Sequence, residues 1–170
     1  MKTLSLLRHA HAEASKLSEE DIDRPLSARG EREARSIAER FESASAARLL
    51  CLCSAAKRAV ETLNVLREAE HWPGDAEIEV EGELYLASSA TLQERLSWID
   101  DEVLEVLVIA HNPGIGLLAL EMAGSGETAK REQLASGYPP AALAVLQLDT
   151  GSWEGVQPAG GKLVDLIFAG

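Results

Sequence analysis

Basic charge is what this sequence has least of. The 170-residue chain sets 16 lysines and arginines against 28 aspartates and glutamates, a formal net charge of −12. A nucleic-acid surface needs a basic face, so that class of partner is excluded, and docking on an anionic membrane is disfavoured for the same reason. An acidic chain can still hold a phosphate, but only where a few arginines are gathered locally against the background field. Cysteine is also scarce. Cys51 and Cys53 are the only two, one residue apart in "RLLCLCS". On a strand they share a face, where a disulfide between them is strained. No second cysteine pair is present to complete a Cys-x-Cys metal site. They read as small buried strand residues of a reducing cytoplasm. Long apolar runs are missing too. Lys2–Leu7 is too short for the core of a signal peptide, and Ile115–Ala123 is too short to span a bilayer. There is no internal repeat, no low-complexity stretch and no linker, so residues 1–170 are expected to form a single domain.

What is present is alternation. Residues 3–8 form a short apolar run that predicts a buried strand, and "ARLLCLCS" (47–54) predicts a second. Between them, Ala34, Ile37, Ala38 and Phe41 recur at helical spacing after Ser27, a good N-cap residue. Ala55–Ala69 reads as a helix with Ala59, Leu63 and Leu66 on one face, and "HWPGD" as a turn. "AEIEVEGEL" alternates like a half-exposed strand. Thr91 and Glu94 form a capping-box pattern ahead of Leu92, Leu96 and Ile99 on a helix. "EVLVIA" (105–110) is the most strand-like segment, and a helix follows, starting after Pro113 and stopping near Gly124. Residues 125–140, polar and Gly/Pro-containing, read as loop with some helix. "ALAVLQLDTGSWEGV" and "KLVDLIFAG" read as strands around a Gly-rich turn, and Trp98 and Trp153 as packing residues. This β-α-β-α order predicts a largely parallel sheet covered on both faces by helices.

In such sheets ligands sit beyond the C-terminal ends of the strands. The first strand runs into Arg8, His9, Ala10 and His11. The second ends at Ser54, with Lys57 and Arg58 one helical turn later. "EVLVIA" runs into His111, Asn112, Pro113 and Gly114. A parallel sheet brings these three ends to one edge, where two arginines and two histidines can converge. An imidazole nitrogen is a competent nucleophile near neutral pH when it is held neutral. Guanidinium groups stay charged and grip oxygens in a fork. A zinc site of His9, His11 and His111 is the rival reading. His11 otherwise lines the pocket rim or is solvated. Arg29 and Lys57 read as solvated helix charges, His71 as a surface residue, and Gly30 as a close-packing position.

The segments "LLRHAHAE", "DRPLSARG", "SAAKRAVET" and "VIAHNPGI", in this order, resemble the histidine phosphatase superfamily, also called phosphoglycerate mutase-like. The short length and the "DRPLS" and "HNPG" elements are most similar to its small branch, the bacterial phosphohistidine phosphatase SixA type. The likeness runs from Lys2 to about Ala123 and loosely over the last two strands. It implies an α/β fold, a three-layer α/β/α sandwich with a mostly parallel central sheet and no large inserted subdomain. It implies that His9 is the nucleophile, phosphorylated during turnover. Arg8 and Arg58 would bind the phosphoryl oxygens, and His111 would complete the pocket. Arg24 and Asn112 are further candidates for phosphate contact, although Arg24 can equally pair with Asp21 or Asp23. No metal and no cofactor are implied.

Two departures stand out. Ala10 replaces the glycine that often follows the nucleophile, and "SAAKR" has Ala55 where the family usually has proline. The proton-donor glutamate of many members has no clear counterpart; Glu81 and Glu83 in "VEGELY" are the nearest candidates. A phosphorylated imidazole leaves more readily than an alkoxide and needs an acid less. The expected reaction is therefore metal-independent hydrolysis through a phosphohistidine on His9. The expected partner is a phosphorylated protein of the histidine phosphotransfer type. The alternatives are a small phosphate ester as substrate, or a phosphate-binding module without catalysis.

Overall fold

In the computed structural model the described residues are 1–43 and 48–169. Seven strands form one sheet: β1 (Lys2–Arg8), β2 (Leu49–Ser54), β3 (Glu77–Glu81), β4 (Glu105–Ala110), β5 (Ala123–Gly126), β6 (Leu143–Leu148) and β7 (Gly161–Ile167). Their order across the sheet is β3-β2-β4-β1-β6-β7-β5. The first four in that order run parallel, β6 is antiparallel to both β1 and β7, and β5 is parallel to β7. The sheet is thus mostly parallel, with β6 reversed. Five helices cover it: α1 (Ala28–Ala38), α2 (Lys57–Arg67), α3 (Ser89–Ser97), α4 (Gly114–Met122) and α5 (Thr128–Ser136).

The apolar core is split by the sheet into two halves. Leu4, Leu6, Leu50, Leu52, Val106 and Val108 pack with residues of α3, α4 and α5. Leu7, Leu49, Cys51, Cys53, Leu107 and Ile109 pack with α1 and α2. The alternation is the period-two pleat of a strand. Every residue of β2 and β4 is buried, as central strands covered on both faces require. This is the expected three-layer sandwich. Both cysteines are free and buried. Among the described residues no helix is long and apolar enough to cross a membrane.

Several boundaries differ from the sequence reading. α3 starts at Ser89, capped by Ser88, whose Oγ accepts the Thr91 N–H at 3.1 Å; Thr91 lies inside the helix. The stretch read as loop after Gly124 holds part of β5 and the whole of α5. β5 is "AGSG", too small in its side chains to show any apolar period. The strand drawn from Ala142 to Val156 ends at Leu148. Trp153 beyond it is buried and donates its indole N–H to the Val103 carbonyl at 2.8 Å. Trp98, read as a packing residue, is instead 65% exposed at the end of α3. The strand ends drawn at Ala47 and Gly170 fall outside the described residues.

One close approach sets the geometry of the functional edge. α1 is capped by Ser27, whose Oγ accepts the Gly30 N–H at 3.1 Å. At Gly30 the helix lies against the chain leaving β1. A Cβ there would stand 1.9 Å from the His11 carbonyl oxygen, so only glycine fits.

Candidate active site

The β1–β4 register pairs Arg8 with Ala110, so the next residues, His9 and His111, leave the sheet side by side. The His9 N–H donates to the Ala110 carbonyl at 3.1 Å. The two imidazole centres are 5.0 Å apart. β2 ends beside β4 at Ser54, and α2 begins at once, carrying Arg58 in its first turn. Strand register and the immediate start of α2 thus gather His9, Ser54, Arg58 and His111.

Arg58 ties the group together from a buried position, 2% exposed. Its Nε–H donates to His9 Nε2 at 3.2 Å, and its Nη2 lies 3.3 Å from His111 Nδ1. A guanidinium has only donors, so both imidazole nitrogens that face it are acceptors. The opposite nitrogens then carry the protons. His9 Nδ1–H donates to the Ala10 carbonyl at 2.7 Å, and His111 Nε2–H donates to Ser54 Oγ at 2.7 Å. Both rings are neutral in this arrangement. Burial is the main reason: it pushes His9 down to about 4 against the opposing Ala10 hydrogen bond, with the positive charges of Arg58, Arg8 and Arg24 adding to it. His111 is pushed down to about 3 by burial first, then by His9 and Arg58. His9 therefore presents an unprotonated Nε2 at neutral pH.

Arg8 approaches from the other face of β1. Its Nη1 donates to the Tyr138 carbonyl at 2.8 Å, and its Nε is buried with no partner in the protein. It lines an open cavity of about 430 Å³ with Asn112, Ser136, Gly137, Tyr138, Pro139 and Phe168. Asn112 also donates to the Tyr138 carbonyl, at 2.8 Å, and its Oδ1 is buried without a partner. Arg8 and Asn112 thus share one anchor. Tyr138 is held in turn by the sheet, its Oη–H donating to the Leu6 carbonyl and its oxygen accepting the Ala144 N–H.

The remaining candidates fall outside this group. His11 is held at the helix cap, its Nδ1 2.7 Å from Ser27 Oγ and its N–H donating to Glu33. Among the described residues no three His, Cys, Asp or Glu side chains are grouped to hold a metal. Glu81 is paired with Arg95 of α3 at 2.7 Å. Glu83 is exposed in the 3-10 turn Gly82–Leu84. Arg24 pairs with Asp21 at 3.0 Å, one of the two placements the sequence allows, and its charge still reaches His9. Arg29 is an exposed helix charge paired with Glu33.

Three residues of the site, Asp21, Tyr85 and Thr62, have no site role in the sequence reading, and Ser54 enters it only as a strand end. Asp21, in the 3-10 turn Asp21–Asp23, was read only as a partner for Arg24. It accepts from Arg58 through both its carbonyl (2.7 Å) and its carboxylate (3.1 Å). Tyr85 donates its Oη–H to the same carboxylate at 2.6 Å and stands edge-on to His111 at 5.5 Å. Thr62 accepts the Ala10 N–H at 3.1 Å and donates to the Arg58 carbonyl, bracing the segment that carries His9. Ser54 orients His111. Thr62 and Ser54 carried a signal, one turn after Arg58 and at a buried strand end. Tyr85 carried none.

The chain is similar to known proteins in sequence and in fold. The sequence model of the histidine phosphatase superfamily (branch 1) matches residues 4–85. An uncharacterized protein of Mycobacterium tuberculosis is 34% identical over 146 residues, 85% of this chain and 88% of that one. A candidate phosphohistidine phosphatase SixA from Agrobacterium tumefaciens has a similar structure, with TM-score 0.76, 28% identity and coverage of 98% of this chain and 97% of that one. The protein histidine phosphatase SixA complexed with tungstate aligns with TM-score 0.71, 26% identity and coverage of 98% and 97%.

Proposed function

This chain belongs to the histidine phosphatase superfamily and is a phosphatase; from that premise we propose that it is a metal-independent enzyme that works through a phosphohistidine on His9 and acts on protein phosphohistidine. The observation that carries the proposal is the hydrogen bonding of His9: Nδ1 faces the Ala10 carbonyl, which takes its proton, and Nε2 faces the Arg58 Nε–H, which leaves that nitrogen unprotonated.

Arg58 turns from Nε2 to the phosphoryl oxygens as substrate enters, and Arg8 grips them from the other face with its unused Nε. Nε2 attacks phosphorus, the bond to the leaving group breaks, and the leaving imidazole nitrogen takes a proton from solvent water. Water then attacks the phosphorus of phospho-His9, the P–N bond breaks, and phosphate leaves with Nε2 unprotonated once more. His111 supports the oxygens in flight, held by Ser54. Phosphoryl transfer asks mainly for positioning and charge stabilisation, which these groups supply.

The choice of a P–N substrate rests on the carboxylates. Glu81 is committed to Arg95, and Glu83 lies exposed. Asp21 is held below the ordinary carboxylate range, chiefly by the Tyr85 hydrogen bond and also by Arg58 and Arg24. None is poised to protonate an alkoxide, whereas an imidazole leaving group makes little demand for an acid. That tungstate, a phosphate-like oxyanion, is held by a related SixA fits the same use of the pocket. The test is turnover in EDTA of a phosphorylated histidine phosphotransfer protein beside sugar phosphates and p-nitrophenyl phosphate. Faster turnover of the phosphoprotein is expected. Turnover of the small esters alone would refute the substrate class, and loss of all activity in EDTA would refute metal independence.

A further inference from the structure

We propose that Asp21 is a displaceable latch, a carboxylate that competes with the substrate's phosphoryl group for Arg58 and so sets how strongly an anion must bind to enter. The inference rests on the proposed role of Arg58 in holding phosphoryl oxygens.

All three nitrogens of Arg58 are turned to protein partners, through four of its five N–H groups. Nε faces His9, Nη1 faces the Asp21 carbonyl, and Nη2 faces both the Asp21 carboxylate and His111. A phosphoryl group can be gripped by the guanidinium fork only by replacing some of these. The histidines are buried and fixed on the sheet edge, His9 by its bond to Ala10 and His111 by its bond to Ser54. Asp21 is different. Its side chain is 44% exposed, and it sits on a surface turn. Its carboxylate has other partners, the Tyr85 hydroxyl at 2.6 Å and Arg24 at 3.0 Å, so yielding Arg58 does not leave the charge alone.

The loop that carries Asp21 is built for such a movement. Its base is pinned by the Ala12–Leu26 bridge, by Glu13 N–H to the Pro25 carbonyl, and by Leu26 N–H to Glu61. Between these points the backbone bonds are local turns: Glu19 to Lys16, Asp23 to Glu20 and Arg24 to Asp21. The tip is thus fastened to the body of the protein near the site through the bonds of Asp21. A dianionic phosphoryl group brings more charge and more oxygens than one carboxylate, and it wins the exchange. A singly charged anion does not.

The test is titration calorimetry with inorganic phosphate. Asp21→Asn is expected to bind phosphate about threefold or more tightly than the natural protein, because the amide competes poorly for a guanidinium. Asp23→Asn, which removes the same charge from the same turn, is expected to leave affinity nearly unchanged. Equal tightening in both variants would mean only a weaker acidic field and would overturn the latch. Unchanged or weaker binding in Asp21→Asn would mean that Asp21 positions Arg58, and would overturn it too. Should Asp21→Asn fail to fold, Tyr85→Phe reads the same device at constant charge. Loss of the hydroxyl that steadies the closed carboxylate should tighten phosphate binding, and no change or a weakening contradicts the proposal. Arg58→Ala separates the two layers: if it binds phosphate as well as the natural protein does, the reading of Arg58 itself fails. If binding is lost there and Asp21→Asn is no tighter, only the latch fails.

Discussion

His9 is buried to 7% exposure, and the Ala10 carbonyl fixes its proton on Nδ1. The same burial that frees Nε2 also makes the folded protein refuse a proton that the unfolded chain accepts near 6.5. His9 is held at about 4 and His111 at about 3. The unfolded state therefore binds more protons than the folded one as pH falls below about 6.5. The stability contributed by the neutral pair is complete above that pH and is lost as pH falls through about 4. For His9 the loss is of order 3 kcal/mol. Thermal unfolding between pH 7 and pH 4.5 should show a steep fall in Tm, flattened in His9→Asn, whose side chain does not titrate. An equal slope in the two proteins would contradict the protonation state on which the proposed role of His9 depends. At this scale the sequence was half legible. His9 and His111 could be paired because parallel strands deliver their ends together. Asp21 and Tyr85 could not, because no periodicity reports where a loop side chain and a turn side chain will meet.

Among the elements, the meeting of β1 and α1 governs the site most directly. The chain leaves β1 with His9, crosses under α1 at His11, and is held there by Ser27, Glu33 and Thr62. Gly30 makes this crossing possible. A methyl group there would lie 1.9 Å from the His11 carbonyl oxygen, a backbone atom and not a flexible side-chain end that could give way. Overpacking of this kind costs about 1–3 kcal/mol or more. Gly30→Ala should lower Tm by several degrees and reduce kcat by displacing His9. Gly74→Ala, with nothing within 4 Å of its Cβ position, should do neither. Matching behaviour of the two variants would mean that the crossing does not position the nucleophile. The buried strands β2 and β4 were legible as unbroken apolar runs, and α1 as a capped amphipathic stripe. β5 was not, because "AGSG" has neither apolar period nor β-branched residues; it forms as an edge strand because β7 offers it a partner. Trp98 was misjudged because aromatic character says nothing about which way a helix end faces.

The molecule as a whole carries a net charge of −12 yet brings Arg8 and Arg58 to one pair of neutral histidines, with the charge of Arg24 also reaching His9. The sheet makes this local reversal possible: β1, β2 and β4 run parallel, so segments distant in sequence end at one edge. The acidic remainder of the surface opposes anions in general, and the proposed function has the arginines admit one at a single place. The central claim is that a phosphoryl group rests on His9 during turnover. The direct measurement is quenching of the enzyme in alkaline detergent during turnover of a radiolabelled phosphorylated substrate, followed by counting of acid-labile, base-stable phosphate on the protein. The natural protein should carry the label, with the modified residue mapped to His9, and His9→Ala should carry none. Label that persists in His9→Ala, or a natural protein that turns over substrate without ever being labelled, would contradict the claim.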